Sequence, residues 1–179
     1  RRQRQMCIRD SLYYGRKIHP AIDGLMEQHA FAPGNTNIYD SEHLQFSLED
    51  TCLEMSSFGK GDIREPFVEL TLSDGSETSD FLFEKFEQGT GKEEFETLPG
   101  SYDESGEVEW LGVTLRDKNS GVILELHYYV YEDCDVITRS AKLINESGDV
   151  VKLNRLMSLQ LDLEPVSYTH LRAHETRHD

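Results

Sequence analysis

Residues 58–66, which read FGKGDIREP, carry the densest group of side chains able to do chemistry. Their glycines permit positive φ angles, and Pro66 holds Glu65 in an extended conformation. A guanidinium facing a carboxylate makes paired hydrogen bonds, so Asp62 and Arg64, with Glu65, predict an ion-pair network that locks a corner of the chain. The same groups can instead hydrogen-bond the hydroxyls of a sugar. Both interpretations are kept for Asp62 and Arg64.

Aromatic side chains form a second group with binding chemistry, because an aromatic face can stack on a sugar ring. The candidates are Tyr13, Tyr14, Tyr39, Tyr102 and Trp110. Most aromatic residues at alternating strand positions belong to a core. Tyr102 lies instead in the turn-like segment 99–104, so it is the one predicted to be exposed and available to a ligand.

Motifs for a cofactor, a metal or a catalytic centre are not found. The run Gly-Thr-Gly-Lys at 89–92 is too short for a phosphate-binding loop, and neither GxSxG nor HExxH occurs. The three cysteines form no CxxC pair, so we predict neither a structural zinc site nor any other metal. His127 lies within an apolar run and is interpreted as a structural residue. No catalytic residue and no cofactor is predicted.

The charge balance restricts the partners, with 34 acidic against 18 basic residues and a net charge of −16. Nucleic acid is excluded as an expected partner, because phosphate backbones require a basic surface. No apolar run is long enough to predict a membrane span, and no secretory signal is recognisable. A sparse, odd number of cysteines fits a reducing compartment, so we expect a cytoplasmic protein.

The two ends differ in composition from the middle. Residues 1–11 are rich in arginine, and residues 166–179 hold three of the seven histidines. Both ends resemble translated sequencing-adapter sequence and are predicted to be artefactual tails. His170, His174 and His178 have a spacing that would share one helix face, but in such a tail it indicates no metal site. The expected domain is 12–165, truncated at its C-terminal end.

Hydrophobic alternation and turn-forming residues predict the strands and turns that would position these groups. Strands are predicted at 68–72, 81–83, 108–115, 122–131 and 136–144, with one or two more within 150–163. Turns are predicted at 74–76, 117–121, 132–135 and 145–149, and a polar loop at 89–99. Only 21–28 is weakly helical. The pattern predicts an all-β antiparallel meander, with a mixed α+β domain as the alternative.

Six segments in chain order resemble the family 36 α-galactosidases. They are LYYGRKI at 12–18, FGKGDIREP at 58–66, DGS at 74–76 with SDF at 79–81, Leu98-Pro99 with Ser101-Tyr102, VYEDCDVITRS at 130–140, and MSLQLD at 157–162. The resemblance covers nearly all of 12–165. It implies an antiparallel β-sandwich, of the supersandwich type, that forms the N-terminal domain before a (β/α)₈ barrel.

The resemblance also implies a function for the parent protein. That family removes terminal α-linked galactose with retention from oligosaccharides such as raffinose or melibiose. Its two catalytic aspartates lie in the barrel, so none is carried over to this sequence, and the fragment alone is expected to be inactive. The parent is expected to be a homo-oligomer in which a loop, here about 27–43, reaches a neighbouring subunit. Residues 28–33, QHAFAP, lack the aspartate that this loop carries in some members.

Two other classes of function stay open on the sequence. A stand-alone carbohydrate-binding module would need an exposed aromatic platform and would bind sugar by itself. A purely structural interaction domain would expose an apolar patch for its partner and would tend to self-associate.

Overall fold

The computed structural model describes residues 37–42, 44, 46–48, 51, 53–94, 100–104 and 106–161. The weakly helical segment predicted at 21–28, residues 28–33 and the predicted tails lie outside the described residues. No helix long and apolar enough to cross a membrane occurs within the described ranges.

Six strands and one short 3-10 turn account for the regular structure of the described residues. They are β1 (Val68–Thr71), β2 (Phe81–Thr90), β3 (Glu109–Asp117), β4 (Ile123–Tyr131), β5 (Val136–Ile144) and β6 (Lys152–Leu156), with the turn at Glu132–Cys134. Strands β2 to β5 form a four-stranded sheet in chain order, and β1 pairs with β6 in a second sheet. Every strand pair is antiparallel. The predicted all-β antiparallel sandwich is confirmed.

Strand β2 is longer than the sequence predicted. The alternation ended at Phe83, but the strand continues to Thr90 and pairs with β3 on both sides of a register shift between Phe83 and Lys85. Its second half is largely exposed, so it lacks the apolar alternation that marks a half-buried strand. The prediction of a loop beginning at Gly89 was therefore wrong for residues 89–90, because backbone pairing with β3, and not burial, makes them a strand.

The core lies between one face of the large sheet and the β1–β6 pair. Its fully buried members include Phe67, Val68, Leu70, Val113, Val122, Leu124 and Leu126. Val113 pairs with Leu126 across β3 and β4, and the apolar residues of these strands alternate with residues directed to the opposite face. The large sheet therefore has a buried core face and a separate outer face.

Arg139 carries a charge into this core. Its side chain is only 5% exposed, and its Nη1 lies 3.1 Å from Oε1 of Glu54. Its Nη2 donates to the Glu54 carbonyl at 3.0 Å, and the Tyr128 hydroxyl donates to Glu54 Oε1 at 2.8 Å. The guanidinium carbon lies 4.9 Å from the Phe67 ring centroid. The ion pair thereby fastens the segment around residue 54 to the large sheet.

Ser56 connects the same segment to the far end of the described chain. Its backbone N–H donates to Oε1 of Gln160 at 2.8 Å. Its hydroxyl accepts a hydrogen bond from the Phe67 N–H at 3.1 Å, and its carbonyl accepts a second from the same N–H at 3.0 Å. The segments around Ser56 and Gln160, more than 100 residues apart, are thus held together next to the start of β1.

We predict that Arg139→Met lowers the free energy of unfolding by about 3 kcal/mol, because it removes the ion-pair partner of the Glu54 carboxylate, which is only 18% exposed. The measurement is a urea titration at neutral pH. The matched control is Arg116→Met on β3, whose side chain is 39% exposed and pairs with exposed Glu84. That variant should unfold at the same urea concentration as the parent. Equal midpoints for both variants would contradict the role given to Arg139.

Candidate functional site

The corner at 58–66 is built on three successive residues with positive φ. Gly59, Lys60 and Gly61 have φ angles of 97°, 61° and 79°. A Cβ on Gly59 would lie 2.6 Å from Cγ2 of Thr78, and one on Gly61 would lie 3.0 Å from the Ile38 carbonyl oxygen. Glycine is needed at both positions for the left-handed conformation and for the close approach of neighbouring chain. The corner predicted from the sequence is confirmed.

Asp62 and Arg64 meet inside this corner as a two-pronged ion pair. Arg64 Nε donates to Oδ1 of Asp62 at 2.9 Å, and Nη2 donates to Oδ2 at 3.1 Å. Arg64 Nη1 and Nη2 also donate to the carbonyls of Thr51 and Leu48, both at 2.7 Å. The Asp62 side chain is only 1% exposed. The predicted lock is formed, and it binds the corner to residues 48–51.

Glu65 does not join the ion pair of Asp62 and Arg64, as the sequence had predicted it would. Its carboxylate pairs with Arg155 of β6, and its side chain is 69% exposed. Tyr102 is 88% exposed, as predicted. A sugar-binding role for Asp62, Arg64 or Tyr102 stays a prediction. At Arg64 such a role would compete with the hydrogen bonds to Thr51 and Leu48.

A second buried cluster lies beside the corner and consists of Tyr39, Lys60 and Asp80. The Tyr39 hydroxyl donates to Oδ1 of Asp80 at 2.5 Å. Lys60 Nζ lies 3.6 Å from Oδ2 of Asp80 and 4.2 Å from the Tyr39 ring centroid. Burial, followed by the hydrogen bond to Asp80, raises the pKa of the Tyr39 phenol far above its ordinary value.

Asp117 completes the set of buried carboxylates among the described residues. Its Oδ1 accepts from the Asp80 N–H at 2.5 Å, and its Oδ2 accepts from the Ser120 N–H at 2.7 Å. Asp62, Asp80 and Asp117 therefore all hold loops and turns of the chain itself. Within the residues that the structure covers, no group of three or more His, Cys, Asp or Glu side chains could hold a metal ion.

Trp110 lines a cavity that sequence reasoning missed. The cavity has a volume of about 380 Å³ and is lined by Thr90, Gly91, Lys92, Glu93, Trp110, His127 and Tyr129. The Trp110 side chain is half-buried, and so is His127, whose Nε2 lies 3.6 Å from Oε2 of Glu125. Alternation placed Trp110 on a strand but could not tell the core face from the outer face. The cavity depends on the strand register, which pairs Gly89 with Trp110 and is not evident from the sequence.

We predict that Arg64→Lys lowers the free energy of unfolding by about 1–3 kcal/mol, because an ammonium group cannot make the paired bonds to Asp62 and also reach two carbonyls. Urea titration measures the loss. Amide hydrogen exchange should also become faster at Thr51, whose N–H donates to the Leu48 carbonyl. Lys85→Met removes an exposed pair with Glu87 and serves as the control, with no expected change in either measurement. Unchanged exchange at Thr51 would rule out the lock.

We predict that the stability advantage of the parent chain over Tyr39→Phe shrinks as the pH rises above about 10. The folded protein keeps the Tyr39 proton to a higher pH than the unfolded chain does. The contribution is therefore complete below the unfolded pKa and is lost as the pH rises past it. Urea titrations at pH 8 and pH 10.5 measure the difference, with Tyr102→Phe as the exposed control. A gap that stays constant between the two pH values would refute this assignment.

Comparison with known proteins identifies the family. The profile of the family described as "Glycosyl hydrolase family 36 N-terminal domain" matches residues 10–174. Alpha-galactosidase AgaA of Geobacillus stearothermophilus is 32% identical over 155 residues, which are 86% of this chain and 20% of that protein. The bifunctional alpha-galactosidase/sucrose kinase AgaSK of Mediterraneibacter gnavus is 29% identical over 168 residues, 90% of this chain and 17% of that protein.

Solved structures agree with the sequence comparison. The alpha-galactosidase of Lactobacillus brevis superposes with a TM-score of 0.81 at 32% identity, over 89% of this chain and 22% of that one. An AgaA variant in complex with raffinose superposes with a TM-score of 0.78 at 29% identity, over 85% of this chain and 21% of that one. The chain thus spans about a fifth of the length of these relatives. It belongs to the glycosyl hydrolase family 36 N-terminal domain family.

Proposed function

We propose that the chain is the non-catalytic N-terminal β-sandwich domain of a larger retaining α-galactosidase. The parent enzyme hydrolyses terminal α-linked galactose from oligosaccharides of the raffinose and melibiose type. The observation that carries this proposal is the match of a single domain family to residues 10–174, together with α-galactosidase relatives of which the chain covers 20% and 17%.

The hydrogen bonds of the buried carboxylates support the proposal that catalysis takes place outside this chain. A retaining glycosidase needs two carboxyl groups about 5 Å apart that face the scissile bond. Asp62, Asp80 and Asp117 are buried, but each is hydrogen-bonded to loops of the domain. Carboxylates used in this way position the backbone. The two catalytic carboxyl groups are proposed to lie in a (β/α)₈ barrel elsewhere in the parent.

The substrate class is supported by two AgaA structures. One AgaA variant was crystallised with raffinose and another with stachyose, and these superpose on this chain with TM-scores of 0.78 and 0.77. We propose the same class of α-galactosides for the parent of this chain. The domain's own contribution is to pack against the barrel and to support a homo-oligomer. The proposal includes a cytoplasmic location, supported by the three sparse cysteines, and no membrane partner, supported by the lack of a long apolar run in the sequence. It also includes no nucleic-acid partner, supported by the net charge of −16.

A domain exchange tests this function. The chain replaces the matching N-terminal segment of AgaA, and release of galactose from raffinose is measured. We expect the chimera to be active and the chain alone to be inactive, because the domain supports the catalytic barrel without supplying its carboxylates. Native AgaA is the positive control, and AgaA without its N-terminal segment is the negative control.

A matched chimera carrying Arg139→Met separates folding from function, since it should lose activity together with stability. Galactose release by the 179-residue chain alone would contradict the non-catalytic assignment. A soluble, oligomeric chimera without activity would contradict the assignment to this enzyme class.

A further inference from the structure

The outer face of the large sheet carries a group of side chains that the core does not use. Val113 and Leu126 pair on the core face, so the adjacent pairs Gly112–His127 and Trp110–Tyr129 point the other way. We call this surface, around Trp110, Gly112, His127 and Tyr129, the outer face. None of these four residues belongs to the packed core cluster, although Tyr129 is buried.

Trp110 lies across two glycines on this outer face. A Cβ on Gly89 would lie 2.9 Å from Nε1 of Trp110, and a Cβ on Gly112 would lie 3.2 Å from its Cζ3. The two ends of the indole therefore occupy the space that side chains at both positions would need. Gly89 is the direct partner of Trp110 on β2, and Gly112 is two residues further along β3. The glycines let the indole lie against the sheet, where Trp110 lines the cavity.

Polar groups of both signs surround this indole. Lys92 and Glu93 line the cavity, and Lys92 Nζ lies 5.1 Å from the Tyr129 ring centroid. His127 borders the floor, since its Cε1 would lie 3.8 Å from a Cβ on Gly112. A second cavity of about 520 Å³ also includes Lys92 and Tyr129 in its lining. A flat aromatic floor with balanced charges around it suits a neutral ligand that has one apolar face and many hydroxyls.

We infer that the outer face is a hexopyranose-binding site, in which the C–H face of one sugar ring stacks on Trp110 and its hydroxyls bond to Lys92, Glu93 and His127. The first cavity, at about 380 Å³, falls within the range of small-ligand pockets and has room for one sugar ring. The adjoining cavity provides space for a second ring. All the residues of the inferred site belong to this chain, so we expect the domain to bind sugar without the barrel.

Trp110 is the only tryptophan in the sequence, so intrinsic fluorescence reports on this site alone. The 179-residue chain is titrated with galactose and with raffinose, and with galactitol as an open-chain control. Galactitol has similar hydroxyls but no ring face to stack. We expect a saturable change in Trp110 emission with dissociation constants on the order of millimolar, lower for raffinose than for galactose, and no saturable change with galactitol.

Two variants assign the binding to this face. Gly112→Ala adds a Cβ beneath the indole and should weaken raffinose binding by about fivefold or more. Phe86→Ala removes an exposed aromatic that pairs with Val113, on the opposite face of the sheet, and should leave binding unchanged. Trp110→Ala is followed by amide chemical shifts, which also show whether the variant is folded. Raffinose should then shift no amides around residues 90–93 and 127–129.

The outer face is not a sugar site if the parent chain shows no change in emission or amide shifts at tens of millimolar raffinose. Binding that persists in folded Trp110→Ala, or that is lost in Phe86→Ala, would place the sugar elsewhere. None of these outcomes depends on activity of the AgaA chimera, so the site and the proposed function fail or succeed separately.

Discussion

Burial of the Arg139 guanidinium is the constraint on which the rest of the domain depends. A charge within the core is tolerated only when its hydrogen bonds are supplied and its partner is held in place. Here Glu54 supplies a carboxylate and a carbonyl, while the ring centroids of Phe67 and Tyr128 lie 4.9 and 5.4 Å from the guanidinium carbon. These contacts draw a segment before β1 onto a strand that lies 85 residues later. The guanidinium Nε has no hydrogen-bond partner among the described residues, so the contacts through Nη1 and Nη2 must hold the charge in place. Together with the Ser56–Gln160 hydrogen bond, that contact holds distant segments of the chain against the core.

Because one face of the large sheet packs in the core, side chains on the opposite face can serve a separate role such as ligand binding. The core face carries Leu124 and Leu126 with Arg139, and it closes on the β1–β6 pair. The alternation of side chains along the same strands leaves Trp110 and His127 on the other side. Because successive side chains of a β-strand point to opposite faces, the residues of the packed core and the residues around Trp110 lie on opposite faces of the sheet. A substitution at Trp110 is expected to change binding with little change in core packing.

The corner at 58–66 shows how closely local sequence can predict local structure. Glycines at 59 and 61 and the short spacing of Asp62 and Arg64 were enough to predict a locked turn with an ion pair, since all of these interactions form within a few residues. The carbonyl partners at Leu48 and Thr51 were not predictable, because they come from a segment without a motif of its own. The interpretation of Glu65 as part of this pair was wrong, because β6 brings Arg155 to it.

The sequence by itself determined the class of fold, most strand positions, the corner and the family. Each of these depends on residue type and spacing along the chain: alternation for strands, glycine for positive φ, and ordered motifs for the resemblance. Only the tertiary structure decided that β2 continues to Thr90, that Arg139 is buried and that Trp110 lies over Gly89 and Gly112. The physical reason is that these features depend on strand register and on which face of the sheet is covered. A side chain on an alternating strand has two faces open to it, and partners distant in the chain choose between them.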